Sequence, residues 1–357
     1  MPNYGKSNIQ IGMTASRATG ARGGWMGQGE VIASYEGAVP RQAVRDMIAW
    51  QPLEVPSANL IPVDDFDLAD TVLPDGRPAK TMIVEGVKSI VRSDNYANLG
   101  RFKGTAGAGD GYNSNGYTHY LDVTEEFVGD SPVLATGELH GGAQFFIQYG
   151  LEENLHDDST GLEFMPYLMF RSSLDGSLAN TWDRGSIIAK CDNMFPAITL
   201  AAKLAGTRVK FKRSRFSSER LGSVPAALSL QAKHTVDFVH STVQVPVLRS
   251  QFVKVLDLEV PLPDRDKASK AAYTRAENTR EAITALYTHS PMVADWTGTA
   301  FGVFQAFDTY YNREKPVRGA NKIDRVFERV IKGTAQDEGL STLTSLSRVL
   351  GRELIPA

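Results

Sequence analysis

Between Arg208 and Arg220 the chain reads RVKFKRSRFSSER, a dense cluster of positive charge in a protein whose net charge is −3. Arg208, Lys210 and Lys212 alternate with Val209 and Phe211. Successive side chains of a strand point to opposite faces, so the three cations share one face and the apolar pair the other. Arg213, Arg215 and Arg220 extend the positive field. Such a track suits a phosphate backbone, because each neutralised phosphate releases counterions. The plain alternative is a solvated strand face, the usual fate of a charge run. Exposed aromatic rings beside a cationic track stack bases, and Trp182 and Phe216 are the nearest candidates.

Other chemistry is sparse. Glu138 and His140 read as neighbours on one strand face, a partial metal set that would need a third ligand; polar outward-facing residues are the favoured reading. Cys191 has Lys190 beside it and a helix start after it, which would favour a thiolate, but a buried structural thiol is the simpler reading. Asp64, Asp65, Asp67 and Asp70 lack the glycine pivot of a calcium loop and read as a solvated loop. The glycine-rich run KGTAGAGDGYNSNGY matches neither the dinucleotide nor the P-loop pattern. No catalytic residue, cofactor or metal is expected, and an enzyme is the less favoured reading.

Composition sets the frame. The chain has 357 residues, 42% hydrophobic and 22% charged, ordinary for a globular protein able to bury its own core. One cysteine excludes an intrachain disulfide and suits a reducing compartment. No run approaches a membrane span and the first residues lack a signal-peptide core, so a cytoplasmic protein without membrane contact is expected. A nearly balanced charge confines any nucleic-acid surface to a local patch.

The elements that must position the basic run follow from periodicity. Residues 1–24 are polar and glycine-rich and read as a flexible N-terminal arm. A short helix opens at Pro40. Residues 51–80, with five prolines, read as loop. Residues 133–190 alternate as four antiparallel strands, turning at Gly141-Gly142 and at Asp175-Gly176, the latter read as a two-residue type I′ turn. A helix over 193–205, with Pro196 in its first turn and Gly206 at its end, should pack on that meander. From residue 221 the pattern is helical, with PLPDRDK as a linker and an aromatic stripe at Phe301, Phe304, Phe307 and Tyr311 that reads as core. The expected class is α+β: an antiparallel β-meander with a packed helix over 25–220, followed by a mostly helical C-terminal region over 221–357.

The order of landmarks resembles the phage/plasmid-like family of laterally transferred proteins, a domain of unknown function. The pieces are Arg92-Ser93-Asp94 followed by Leu99-Gly100, the Gly137–Gly142 hairpin, the Asp175-Gly176 turn, Ala189 to Asn193, and the aromatic helix at 299–311, within a match spanning about 80–350. The resemblance implies a gene carried on phages and plasmids, with no established catalytic residues. The meander with its helix is also similar in order to the core of single-strand annealing proteins of the Rad52-like and Red-beta-like kind, a fold-level analogy. The favoured expectation is therefore a recombination or annealing factor that binds single-stranded DNA as a homo-oligomer. A phage structural or assembly protein, and an enzyme of unknown chemistry, are the alternatives.

Overall fold

The computed structural model describes residues 8–12, 33–64, 66–73, 76–103, 115–151, 155–157, 162–188, 209–211, 236–290, 293–316, 329 and 334–354. Antiparallel sheets fill the N-terminal part and helices the C-terminal part, the α+β class that the sequence pattern predicts.

The first sheet holds β1 (Asn8–Gly12), β2 (Ala33–Tyr35), β7 (Val133–Leu139), β8 (Gln144–Gly150), β9 (Leu155–Asp157), β10 (Leu162–Ser173), β11 (Asn180–Ile188) and β12 (Val209–Phe211). Its order is β12-β11-β10-β8-β7-β1-β2, with β9 paired to β10. The meander β7-β8-β10-β11 is antiparallel throughout, as the alternation implied. The β1–β2 pair is parallel. β1 corrects the reading of residues 1–24 as an arm: Ile9 and Ile11 alternate, are 1% and 7% exposed, and join the strand to β7.

Both faces of the meander are buried, which is why its strands read as near-continuous apolar runs. One face sends Phe145, Ile147, Leu168, Phe170 and Trp182 against the helices α1 (Arg41–Met47) and α2 (Tyr117–Val128). Tyr117 stacks on Phe145 at 5.0 Å and Tyr120 on Phe170 at 6.0 Å. The other face carries Phe146, Gln148, Tyr167, Met169, Arg171 and Asp183, all buried.

The Asp175-Gly176 turn is present but longer than the two residues expected. β10 ends at Ser173 and β11 begins at Asn180. Gly176 alone takes a positive φ, 75°, so type I′ geometry, which needs two, does not form. Side chains shape the loop instead. The Ser177 amide donates to Asp175 Oδ1 at 2.9 Å, and the Leu178 amide donates to Ser173 Oγ at 2.9 Å.

A second sheet has β5 (Pro78–Arg92) at its centre, with β3 (Pro52–Pro62) on one side and β4 (Thr71–Val72) and β6 (Asn98–Lys103) on the other. The proline-rich stretch expected as loop is thus largely strand. β3 is an edge strand, so Pro52 and Pro56 need no donor on their open side, and the ladder shifts register between Pro56 and Ala58. From Lys80 to Lys88 no residue of β5 is buried, and Leu60, Ile61, Met82 and Ile83 are exposed along this part of the ribbon.

The C-terminal helices are α3 (Arg249–Glu259), α4 (Lys270–His289), α5 (Ala300–Thr309) and α6 (Thr334–Leu350). Every residue of α5 is buried, as expected of a helix apolar nearly all round at the middle of a bundle. Its aromatic stripe is core: Phe301, Phe304 and Phe307 are each 0% exposed. Thr299 caps it, accepting from the Gly302 amide at 3.0 Å. Gly302 sits against the Trp296 backbone, where a Cβ would lie 2.0 Å from the carbonyl oxygen. That carbonyl is already held by the Thr299 hydroxyl at 2.7 Å. The chain cannot yield there without losing the cap. Gly302→Ala should therefore destabilise the protein by about 1–3 kcal/mol, the cost of overpacking a filled core. A urea melt of the variant matching the native midpoint would refute this.

Candidate functional site

The meander, the ribbon and α2 converge on one polar cluster. Arg92, the last residue of β5, lies with its guanidinium carbon 4.2 Å from the centre of the Trp50 ring. Its Nε and Nη2 donate to Asp94 Oδ1 at 2.9 Å and Oδ2 at 2.7 Å, a two-pronged pair. Its Nη1 donates to Glu138 Oε2 at 3.2 Å and to the Gly141 carbonyl at 3.0 Å. Trp50 Nε1 donates to the other Glu138 oxygen at 2.6 Å. Both Glu138 oxygens are thus occupied inside a nearly closed site.

The turn beside it is built to admit this cluster. His140, Gly141 and Gly142 take φ values of 54°, 68° and 97°, a region that L side chains seldom enter. A Cβ on Gly142 would meet Arg92 Nη1 at 2.6 Å and Trp50 Cζ2 at 2.8 Å. Tyr117 fixes the same residue from below, its hydroxyl donating to the Gly142 carbonyl at 2.8 Å. The expected shared, outward-facing strand face of Glu138 and His140 is corrected here: Glu138 is 4% exposed. β7 ends at Leu139, and His140 opens the turn with its own positive φ. Among the described residues no group of three His, Cys, Asp or Glu is placed to hold a metal ion.

The electrostatics follow from burial. Desolvation pushes the Glu138 carboxyl above its ordinary 4.5, with Arg92 and Trp50 opposing the rise. The Arg92 hydrogen bonds hold the Asp94 carboxyl below its usual range. The arrangement is a strut that fixes a strand end to a turn. A second buried pair lies on the far face of the meander, where Arg171 Nη2 meets Asp183 Oδ2 at 2.5 Å, each side chain 1% exposed. Nearby, Gln148 is 0% exposed, and among the described residues neither atom of its amide has a hydrogen-bond partner.

The basic strand is described only over β12. Val209 is buried and lies opposite Trp182; Lys210 is exposed and lies opposite Thr181. The alternation read from sequence holds at these two residues. Arg208, Lys212, Arg213, Arg215, Phe216 and Arg220 lie outside the described residues, as do Cys191 and the helix expected over 193–205. Trp182 is corrected. It is 0% exposed, its Nε1 donates to Thr124 Oγ1 at 3.0 Å, and its ring lies 4.8 Å from Phe170. The strand period that aims Val209 inward aims Trp182 inward too, so no base reaches its face. Sequence reasoning missed Arg92 and Trp50 as partners of Glu138. The pairings span 46 and 88 residues, and no local pattern announces contacts of that reach.

The cluster makes a pH-dependent contribution that can be measured. A raised carboxyl favours the fold fully below its unfolded value, and that contribution is lost as pH rises through the folded value. For Glu138 the window opens near 4.5 and extends upward. Asp94 acts in the opposite sense: its contribution is present above 3.8 and lost as pH falls through its lower folded value. Glu138→Gln should therefore gain on the native protein as pH climbs from 4.5. Arg92→Ala, which leaves Glu138 buried without its counter-ion, should cost about 3–5 kcal/mol at neutral pH. Denaturant melts across a pH series check both, and a difference between Glu138→Gln and native protein that stays flat above pH 4.5 would contradict the first.

Among the described residues no helix is long and apolar enough to cross a membrane. No curated protein and no solved structure matches the chain. One family model does match, over residues 108–331, which takes in the Gly137–Gly142 hairpin, the meander, β12 and the first three of the C-terminal helices. With well over half of its 357 residues inside that match, the chain belongs to the DUF932 family, a domain of unknown function.

Proposed function

We propose that the chain binds the backbone of single-stranded DNA through the strand around Lys210, as a homo-oligomeric recombination or annealing factor of a phage or plasmid acting in the host cytoplasm. The observation that carries this reading is the exposure of Lys210 on a strand whose preceding residue, Val209, is buried. In sequence, Arg208 and Lys212 stand two residues to either side of it. Arg213, Arg215 and Arg220 add charge from the segment that follows. Backbone contacts of this kind need no base-reading groups. The phage or plasmid setting rests on the sequence resemblance, and the annealing role on order of elements alone.

A second reading, a structural or assembly protein, has its own support in the β3–β5 ribbon. Leu60 and Ile83 are exposed on one face of it and Ile61 and Met82 on the other, and exposed apolar side chains can serve as contact surface.

The binding reading is tested by salt. Three phosphate contacts per subunit give a log-affinity against log-salt slope near ~−2 on single strands, at about −0.7 per contact. Replacing Lys210 and Lys212 by Gln should flatten the slope by roughly 1.4 and weaken all sequences alike. Folding should be unchanged, since an exposed charge contributes little to stability. A folded double variant with the native slope would remove the basic strand from the reading.

A further inference from the structure

The Arg92 joint sets two carboxylates around one cation. Asp94 and Glu138 both pair with Arg92, so a single proton would bring the group to neutrality. The two acids are not equivalent sites for that proton. Asp94 takes two bonds from the guanidinium, at 2.9 and 2.7 Å, and its side chain is 45% exposed. Glu138 takes one, at 3.2 Å, and its side chain is 5% exposed. Burial with the weaker pairing works against the charge on Glu138. The two carboxyls are displaced accordingly, Glu138 upward by desolvation and Asp94 downward by the Arg92 bonds.

An unused acceptor lies across the ladder from Glu138. Asn8 of β1 stands directly opposite it, so the two side chains share a face with Cβ atoms about 4.5–5.5 Å apart. Asn8 Oδ1 is buried, and among the described residues it has no hydrogen-bond partner. An ionised carboxylate only accepts and can do nothing for that oxygen, whereas a protonated one donates. The other elements around Glu138 are accounted for. Trp50 already donates to Oε1, Tyr117 of α2 gives its hydroxyl proton to the Gly142 carbonyl, and Phe145, opposite on β8, is apolar. His140, two residues on, is of a type that titrates in the same range and needs its own control. Nor does loss of the Glu138 charge strand Arg92, whose bonds to Asp94 and to the Gly141 carbonyl remain.

We propose that Glu138 is a proton switch with two positions, holding Arg92 as a carboxylate and donating to Asn8 Oδ1 as a carboxylic acid. The proton comes from solvent and sits on Oε2, the oxygen that otherwise faces Arg92, while Oε1 keeps its bond from Trp50. Each protonation moves one tie from the ribbon to β1. A fall in pH therefore loosens the ribbon at its joint and fastens the first strand to the meander. The inference concerns this joint alone and is independent of any nucleic acid.

The test follows the indole N–H of Trp50 by nitrogen-15 NMR of the full chain, assigned by its loss in Trp50→Phe, because its bond to Glu138 senses the carboxyl directly. Native protein should show a titration with a midpoint above 4.5, and Glu138→Gln should abolish it. Asn8→Ala removes the acceptor of the protonated form. The midpoint should then fall by about one pH unit, a tenfold loss of proton affinity and about the worth of one hydrogen bond. Where Asn8→Ala fails to fold, Asn8→Val, which suits a strand, carries the same expectation. His140→Gln should leave the titration in place. Hydrogen exchange, corrected for its intrinsic pH dependence, should show the Arg92 and Ser93 amides, bonded to the Ala97 and Gln51 carbonyls, opening more readily below the midpoint, and the β1 amides less readily. A midpoint unmoved by loss of Asn8 overturns the proposal. So does a midpoint that rises, since the Asn8 amide would then be donating to the carboxylate. A titration that survives Glu138→Gln and vanishes with His140→Gln, or exchange at the joint that is indifferent to pH across the midpoint, overturns it as well.

Discussion

A guanidinium placed almost out of water sets the terms for the N-terminal half. Arg92 is 11% exposed at its side chain, and a buried cation is tolerated only where opposite charge and hydrogen bonds replace its water. Meeting that demand fixes what surrounds it. Asp94 must follow within one turn of chain, Glu138 must end β7 nearby, and the Gly141 carbonyl must point inward. Trp50 covers the flat face. The neighbouring backbone is stitched as well: the Ser93 amide donates to the Gln51 carbonyl at 2.9 Å, and the Gln51 amide donates to Ser93 Oγ at 2.8 Å. One charge thereby ties the ribbon, the loop after α1 and the first hairpin of the meander into a single rigid joint.

The helical half solves a different problem with different means. Its centre is largely apolar, and α5 is surrounded by side chains from α3, α4 and α6. Specificity comes from close approach rather than from charge: Gly302 lets α5 begin against the Trp296 backbone. At the helix ends and rims, Arg280 and Glu259 join neighbouring helices, while Gln305 and Asp308 are polar side chains buried on α5 itself. The two halves have separate apolar clusters, so a defect in one need not be felt as lost packing in the other.

The parts legible in sequence were those governed by short periods. Alternation revealed β7, β8, β10 and β11, and 3.6-residue spacing revealed α4 and α5, because burial repeats with the same period as the backbone. Prolines in β3 misled, since their cost depends on whether the open side of the strand is paired, and that is a property of the sheet. β1 was masked by the glycine and serine around it, although Ile9 and Ile11 already alternated. Trp182 illustrates the limit most clearly. An aromatic near a cationic strand suits base stacking as well as core packing, and only the register opposite Val209 decides between them. The Arg92 cluster was invisible because its members come from three distant segments, and nothing local requires Glu138 to be buried.

The ribbon itself has a mechanical meaning. β5 is 15 residues long, yet only its two ends are buried: Ser89, Ile90 and Val91 beside the Arg92 joint, and Pro78 and Ala79 where β4 meets it. The span between is held chiefly by its ladder to β3, and that ladder breaks register at Pro56/Ala58, close to the buried Ser57–Ser89 hydrogen bond of 2.6 Å. Such an element is a beam anchored at the Arg92 joint, whose far end meets only the short β4, with its register break next to the anchor. Bending will concentrate there, so a small rotation at Ser57 is magnified into a large excursion of Ile61 and Met82. Conversely, a load placed on those outer side chains arrives at the clamp as torque on Arg92, where Glu138 and Asp94 resist it.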